Sequence, residues 1–354
     1  MNKMSIKKMI KKRKIGLTNL EISELGMGTA PLGGWPVAVD PEEAQLTIAK
    51  AWESGIRYFD TAPLYGSGMA EERIGKFLKE KKREDFCIAT KVGRLVVDTE
   101  EANEKFKGQD PHKDTIFDFS YDAVMRSFEE SLKRLQLDSV DILHLHDPDN
   151  HPDHLDHAKK GAIKAMLKLR DEKAVKALGC GMNQNEMLLE LAKMGHFDCF
   201  LLAGRYSLLD QTSLEELIPY CKENHISLIL GGVFNSGILI NPSPESYFDY
   251  SKLDENWAKN LSDSLVRIPK DFESADYWLN KAYKLRDFCS DSNISLRRAA
   301  IQFPYLNDVV ASVVLGMTSV SQVEENFEDF NNKISPEFWT KLKDKELIHP
   351  NAPI

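Results

Sequence analysis

The sequence predicts an α/β chain folded as one (β/α)8 TIM barrel, with residues 1–354 forming a single domain. Three observations lead there. Eight short runs of apolar and β-branched residues alternate with longer segments of helical period. The runs are nearly continuous in apolar character, as strands of a parallel sheet covered by helices must be. An open doubly wound sheet would carry a dinucleotide fingerprint, and none is present: the Gly-rich strand end LGMGTAPLGG runs into Pro31 and Trp35 instead of opening a helix. No GxxxxGK phosphate loop occurs either.

In chain order the strands are LGMG, RYFDTA, FCIATK, VDILHLH, ALGCG, CFLLAG, SLILGG and ASVVLG. Between them lie PEEAQLTIAKAWES, AEERIGKFLKE, YDAVMRSFEESLKRLQ, AIKAMLKLRDE, NEMLLELAK, SLEELIPYCKEN and a seventh helical stretch from about Ser274 into LRRAAIQF. In the third helix Val124, Phe128, Leu132 and Leu135 share one face, Ser120 is placed to cap the start, and Asp122 lies in the first turn. Two segments exceed normal loop length, 94–119 after the third strand and 238–273 after the seventh. Both leave C-terminal strand ends, where barrel enzymes build their sites, so both are expected to be lids or binding loops.

Composition narrows the function. Forty-six Lys and Arg against fifty-five Asp and Glu give a net charge of −9, which argues against nucleic acid or an anionic membrane as partner. The basic start, residues 1–14, reads as a frayed, solvated terminus without the apolar core of a secretion signal. No window approaches the ~18 apolar residues of a membrane span. The five scattered cysteines show no paired spacing and suggest a reducing, cytoplasmic setting. Oligomeric state, monomer or homo-oligomer, is not encoded legibly.

The stretch DILHLHDPDNHPDHLDH, 141–157, raises a metal site as one reading. Such a site needs further ligands at other strand ends, and LGCGMN and CFLLAGRY offer none. His151, His154 and His157 then read as solvated turn residues, and His144 as a neutral, hydrogen-bonded structural imidazole one layer below His146. The other reading collects the polar residues at strand ends: Asp60, Tyr65 just beyond it, Lys91 and His146. Together they can transfer a proton. An ammonium beside Tyr65 is expected to lower the phenol from about 10, Asp60 to hold Lys91, and His146 to direct a substrate oxygen to the hydroxyl.

The stretches YFDTAPLYGSGMAEERIGKFL, IATKVGR, VDILHLHDPD, LGCGMNQ and VLGMTSVSQVEENF resemble the aldo-keto reductase superfamily, in its order, over nearly the whole chain. GTAPLGGW, FDFSYDAVMRSFEESLKRL, FDCFLLAGRYSLLDQ and GGVFNSGIL resemble more narrowly its sugar-dehydrogenase branch, with L-fucose dehydrogenase (D-threo-aldose 1-dehydrogenase) and, nearby, galactose and pyridoxal dehydrogenases. The resemblance implies a nicotinamide cofactor across the C-terminal mouth and a catalytic tetrad of Asp60, Tyr65, Lys91 and His146. It implies cofactor contacts from Gly28, Thr29 and Asp60, from Asn183 at the carboxamide, and from Tyr206 stacked on the ring. Gly232, Asn235, Ser236 and Gly237 fall in the segment covering the pyrophosphate, and Gly316, Thr318, Gln322, Glu325 and Asn326 at the adenosine end.

Departures from the family pattern bear on the cofactor. Ala203 stands where many members have glutamine, and Gly316 and Gln322 stand where many NADPH-dependent members have lysine and arginine. A 2′-phosphate would lack partners worth roughly 1.5 to 3 kcal/mol each, which favours NAD over NADP. The resemblance thus implies an NAD-dependent aldose 1-dehydrogenase acting on a small sugar, with Trp35, Tyr65 and His146 facing the substrate. Its alternatives are an NADPH-dependent reductase of aldehydes or ketones, or a pyridoxal 4-dehydrogenase.

Overall fold

The chain enters through a two-stranded antiparallel hairpin, β1 (Lys12–Lys14) and β2 (Glu21–Ser23), in a computed structural model that describes residues 10–103, 105–149, 152–243 and 277–354. Three parallel strands follow: β3 (Leu25–Gly28), β4 (Tyr58–Asp60) and β5 (Cys87–Val92). A second hairpin, β6 (Arg94–Asp98) with β7 (Lys113–Phe117), rises directly from the end of β5. The sheet resumes with β8 (Ile142–His146), β9 (Ala177–Met182), β10 (Cys199–Ala203), β11 (Ser227–Gly231) and β12 (Val310–Gly316). β12 then pairs with β3, so the eight parallel strands close into a barrel whose order follows the chain. All eight strands are those the apolar runs predict.

The helices follow from local chemistry. Helix α1 (Pro41–Glu53) begins where Asp40 accepts from the Glu42 and Glu43 amides, with Pro41 in the first turn. Helix α2 is Met69–Leu78 and helix α3 is Tyr121–Leu135. Ser120 caps α3 by accepting from the Ala123 amide. Val124, Phe128 and Leu135 are buried on its inner face, each worth about 1.5–3 kcal/mol.

Three expectations need correction. The basic terminus is not frayed up to residue 14: Lys12–Lys14 pair with β2, because Ile15, Leu20 and Ile22 are buried in the core cluster inside the barrel with Tyr58 and Ile142. Residues 1–9 lie outside the described part. The segment 94–119 carries the β6–β7 hairpin, in which the consecutive residues Leu95 and Val96, on opposite faces of β6, are both buried. The 152–157 stretch is a helix, Pro152–His157, and His154 packs its ring against Phe117 and Phe119 with centroids 4.7 and 5.1 Å away. His157 is exposed, and His151 lies outside the described residues.

Of the second long segment, 238–243 is described and the remainder to 273 is not. The seventh helical stretch is described from Tyr277 and divides into two helices, Tyr277–Asp291 and Leu296–Gln302. Two further helices, Val320–Asn331 and Pro336–Asp344, complete the chain and escaped the periodicity reading. No helix among the described residues is long and apolar enough to cross a membrane, and all five cysteines are buried and unpaired.

Inside the barrel, large and small side chains alternate between neighbouring strands. His144 on β8 lies opposite Gly179 on β9 and fills its side-chain space: a Cβ at 179 would stand 2.3 Å from the imidazole Nδ1. Among the described residues neither ring nitrogen of His144 has a hydrogen-bond partner, contrary to expectation. Burial first, then Lys91 and His146, hold it well below the usual histidine range, so it is neutral.

Candidate active site

Asp60 ends β4 with its main-chain oxygen accepting from both the amide and the hydroxyl of Thr29, at 2.9 and 3.1 Å. Thr29 is fully buried, and its side chain is committed to fixing this strand end. Lys91, on the next strand, donates to Asp60 Oδ1 at 2.6 Å and to the Thr61 carbonyl at 2.8 Å. The Lys91 ammonium lies 4.7 Å from the Tyr65 ring centroid. Tyr65 sits in the turn between β4 and α2, its amide donating to Ala62 and its carbonyl accepting from Ala70. The first loop packs on that turn through Gly33, where a Cβ would stand 2.6 Å from the Tyr65 carbonyl carbon. Only glycine permits the approach.

His146 ends β8 and is 5 % exposed. Its ring meets Tyr65 edge-on, with centroids 6.0 Å apart at 87°. The four residues expected to act together are therefore assembled at one point on the rim.

Electrostatics assign their resting states. Burial alone would lower the Lys91 ammonium, but Asp60 and Tyr65 carry it above its ordinary value, so it stays charged. Burial raises Asp60 against the pull of Lys91. Burial and then Lys91, Arg94 and Lys105 push His146 well below its range, leaving a neutral imidazole. For Tyr65 the expectation is corrected: burial raises the phenol above its ordinary value, and Lys91 only opposes that rise. The resting hydroxyl is protonated.

Sequence reasoning missed a second group of charges. Asp147, held at φ 45°, places Oδ2 3.6 Å from His146 Nε2 and 2.8 Å from Arg94 Nη2. The Arg94 guanidinium lies 4.0 Å over the Phe117 ring, so the β6–β7 hairpin delivers it. Asp149 is buried, and burial followed by Asp147 pushes its carboxyl up to about 6. HDPD carried the signal, in carboxylates beside the proposed catalytic histidine. The buried Glu71 was missed too; it accepts from Thr90 at 2.6 Å and from Arg134 at 2.7 Å, clamping α2 to β5 and α3 behind Tyr65.

The other candidate residues follow successive strand ends. Trp35 is 51 % exposed and edge-on to Phe106 at 6.3 Å, a wall at the mouth. Gly28 ends β3, Asn183 follows β9 and accepts from Gln184, and Tyr206 follows β10. Tyr206 is 1 % exposed and tilted against Phe303, so stacking requires its ring to be uncovered. After β11, Gly232, Asn235, Ser236 and Gly237 all take left-handed φ. The Asn235 side chain is spent within the fold, on Ser207 and Gly204. Gly316 ends β12 exposed; Thr318 donates its amide to Gln322, Glu325 pairs with Arg297, and Asn326 is buried. Among the described residues, no three His, Cys, Asp or Glu side chains are grouped to hold a metal ion.

Comparison with known proteins agrees with this geometry. The profile described as the aldo/keto reductase family matches residues 24–346. Pyridoxal 4-dehydrogenase of Microbacterium luteolum is 36% identical over 95% of this chain and 98% of its own. D-threo-aldose 1-dehydrogenase of a Pseudomonas species is 36% identical over 93% of this chain and 95% of its own. The holo form of an aldo-keto reductase from Bacillus halodurans superposes with a TM-score of 0.71 at 25% identity, covering 96% of this chain and 97% of that one.

Proposed function

The chain belongs to the aldo/keto reductase family, and from that premise we propose that it oxidises C1 of a free aldose, in its cyclic form, to the lactone with NAD as oxidant. One observation carries the reading: a buried ammonium, Lys91, hydrogen-bonded to Asp60 and lying under the ring of Tyr65, with His146 edge-on to the same ring. Enzymes of this family use NAD(P)H.

The residues present fit such a dinucleotide. At Gly237 a Cβ would meet nothing within 4 Å among the described residues, which suits the left-handed turn 235–237 to a pyrophosphate. Asn183 would take the carboxamide, and Gly316 to Asn326 the adenosine. Glu325 and the absence of cations at 316 and 322 support NAD over its 2′-phosphorylated form.

When bound, the oxidised nicotinamide supplies the acceptor for the C1 hydride. Tyr65 Oη takes the proton of the anomeric hydroxyl, and Lys91 stabilises the phenolate while that proton is elsewhere. Asp60 anchors Lys91 so that its charge stays under the ring. His146, neutral, donates a hydrogen bond that orients the substrate oxygen. Trp35 offers an apolar wall to the sugar face. Pyridoxal closes to an internal hemiacetal as an aldose does, so the likeness to a pyridoxal 4-dehydrogenase fits the same chemistry. The five unpaired thiols suit a reducing, cytoplasmic setting.

A second reading is favoured by the raised phenol of Tyr65, which at neutral pH is a proton donor. It runs the same residues in reverse, as a reductase of aldehydes or ketones. Initial rates with L-fucose, D-arabinose, D- and L-galactose, L-xylose and pyridoxal, each with NAD and NADP, test the first reading. Turnover of at least one of these sugars with NAD is expected; aldehyde reduction without any sugar oxidation would replace it with the second.

A further inference from the structure

We propose that Asp147, held by Arg94, receives the hydroxyl on the carbon next to the reacting one, so that the site selects 2-hydroxy lactols and α-hydroxy aldehydes. The proposal rests on the role given above to His146. Its starting point is that the Asp147 carboxylate lies 3.6 Å from His146 Nε2, at the point where the substrate oxygen would be held. In a gauche diol the neighbouring oxygen lies about one hydrogen-bond length from the first. An oxygen on His146 therefore brings the next hydroxyl within reach of Asp147.

The carboxylate is built for an incoming donor. Its side chain is 27% exposed, while the Arg94 side chain paired with it is only 10% exposed and braced on Phe117. Arg94 Nε has no hydrogen-bond partner among the described residues, and one oxygen of the buried Asp149 has none either. A hydroxyl donates and accepts, and a carboxylate beside a guanidinium answers both halves. Asp147 also holds φ 45°, a left-handed conformation that aspartate adopts more readily than most residues. A substrate with only hydrogen at that carbon would cover the pair without adding the hydrogen bond that a hydroxyl supplies.

The test compares kcat/KM for L-fucose and 2-deoxy-L-fucose with NAD in the wild type, Asp147→Gly and Asp147→Asn. Glycine suits the left-handed backbone, and asparagine, which tolerates it, stands in if the glycine variant melts early. The wild type should prefer the 2-hydroxy sugar roughly 10- to 100-fold, a preference that drops to about threefold or less in Asp147→Gly. An equal loss on both substrates would assign Asp147 to positioning His146 and overturn the proposal. So would a wild type indifferent to the 2-hydroxyl. If the wild type oxidises no aldose, the dehydrogenase reading fails on its own; lactaldehyde and propanal, run as reductions, then give the same ratio and decide Asp147 independently.

Discussion

Lys91 Nζ lies 2.6 Å from Asp60 Oδ1, and the two side chains are 0% and 4% exposed. An ion pair this deep contributes little net stability while intact, yet removing one partner strands the other charge in a dry site. Lys91→Met should therefore destabilise the protein by about 3–5 kcal/mol, and the double variant Lys91→Met/Asp60→Asn by clearly less. Urea unfolding followed by tryptophan fluorescence measures both. A double variant no more stable than the single one would show that the pair is not the unit.

Tyr65 should carry the pH dependence of turnover. Its hydroxyl is raised above the ordinary value by burial, with Lys91 opposing, so the form that accepts a proton grows only on the alkaline side. Sugar oxidation should climb steadily as pH rises toward and past 10, the ordinary value, whereas carbonyl reduction should stay level up to that point and fall only above it. Tyr65→Phe should lower kcat by about 10²- to 10⁴-fold and flatten both limbs. A pH-rate profile of that variant identical in shape to the wild type would remove Tyr65 from the proton step.

Asp149 makes a separate prediction about stability. Its carboxyl is pushed up to about 6, so the folded state holds a proton that the unfolded chain gives up near the ordinary value of 3.8. Stability from this group is present at low pH and is lost as pH rises from about 4 through 6. Asp149→Asn should match the wild type at pH 4 and exceed it by roughly 2–3 kcal/mol at pH 7.5. Denaturation midpoints of the two proteins that keep a constant separation across that range would contradict it.

For the cofactor, NAD should give the higher kcat/KM. Gln322 is exposed near the start of the helix Val320–Asn331, so Gln322→Arg should improve NADP relative to NAD by about tenfold. Gly316 is the poorer place for a cation, because a Cβ there would stand 2.7 Å from Pro31 Cγ. Wild-type kinetics that favour NADP would overturn the assignment.

What the sequence made legible follows the length scale of the interactions. The strands announced themselves as apolar runs, and Ser120 as the cap of α3, because both depend on neighbours a few residues away. Asp60, Tyr65, Lys91 and His146 were legible because strand ends in a barrel share one rim. The β6–β7 hairpin does not stand out by alternation: its exposed Ile116 and half-buried Lys113 to Thr115 blur the pattern. HDPD displays Asp147, but its pairing with Arg94, like that of Glu71 with Thr90 and Arg134, joins residues far apart in the chain, and single-sequence spacing carries no trace of such pairings. The sign of the Tyr65 shift was missed for the same reason, since burial is set by everything packed around the ring.

The contact between His144 and Gly179 makes these two positions a single heritable unit. Any side chain at 179 needs a smaller residue at 144, and a smaller residue at 144 leaves a hole unless 179 grows. Gly179→Ala alone should be rejected by the fold, whereas Gly179→Ala with His144→Ala should be accepted more readily, a compensation visible as a positive coupling in melting temperature. Natural variation at this layer of the barrel should therefore move in paired steps, so that relatives keeping the glycine keep a bulky neighbour.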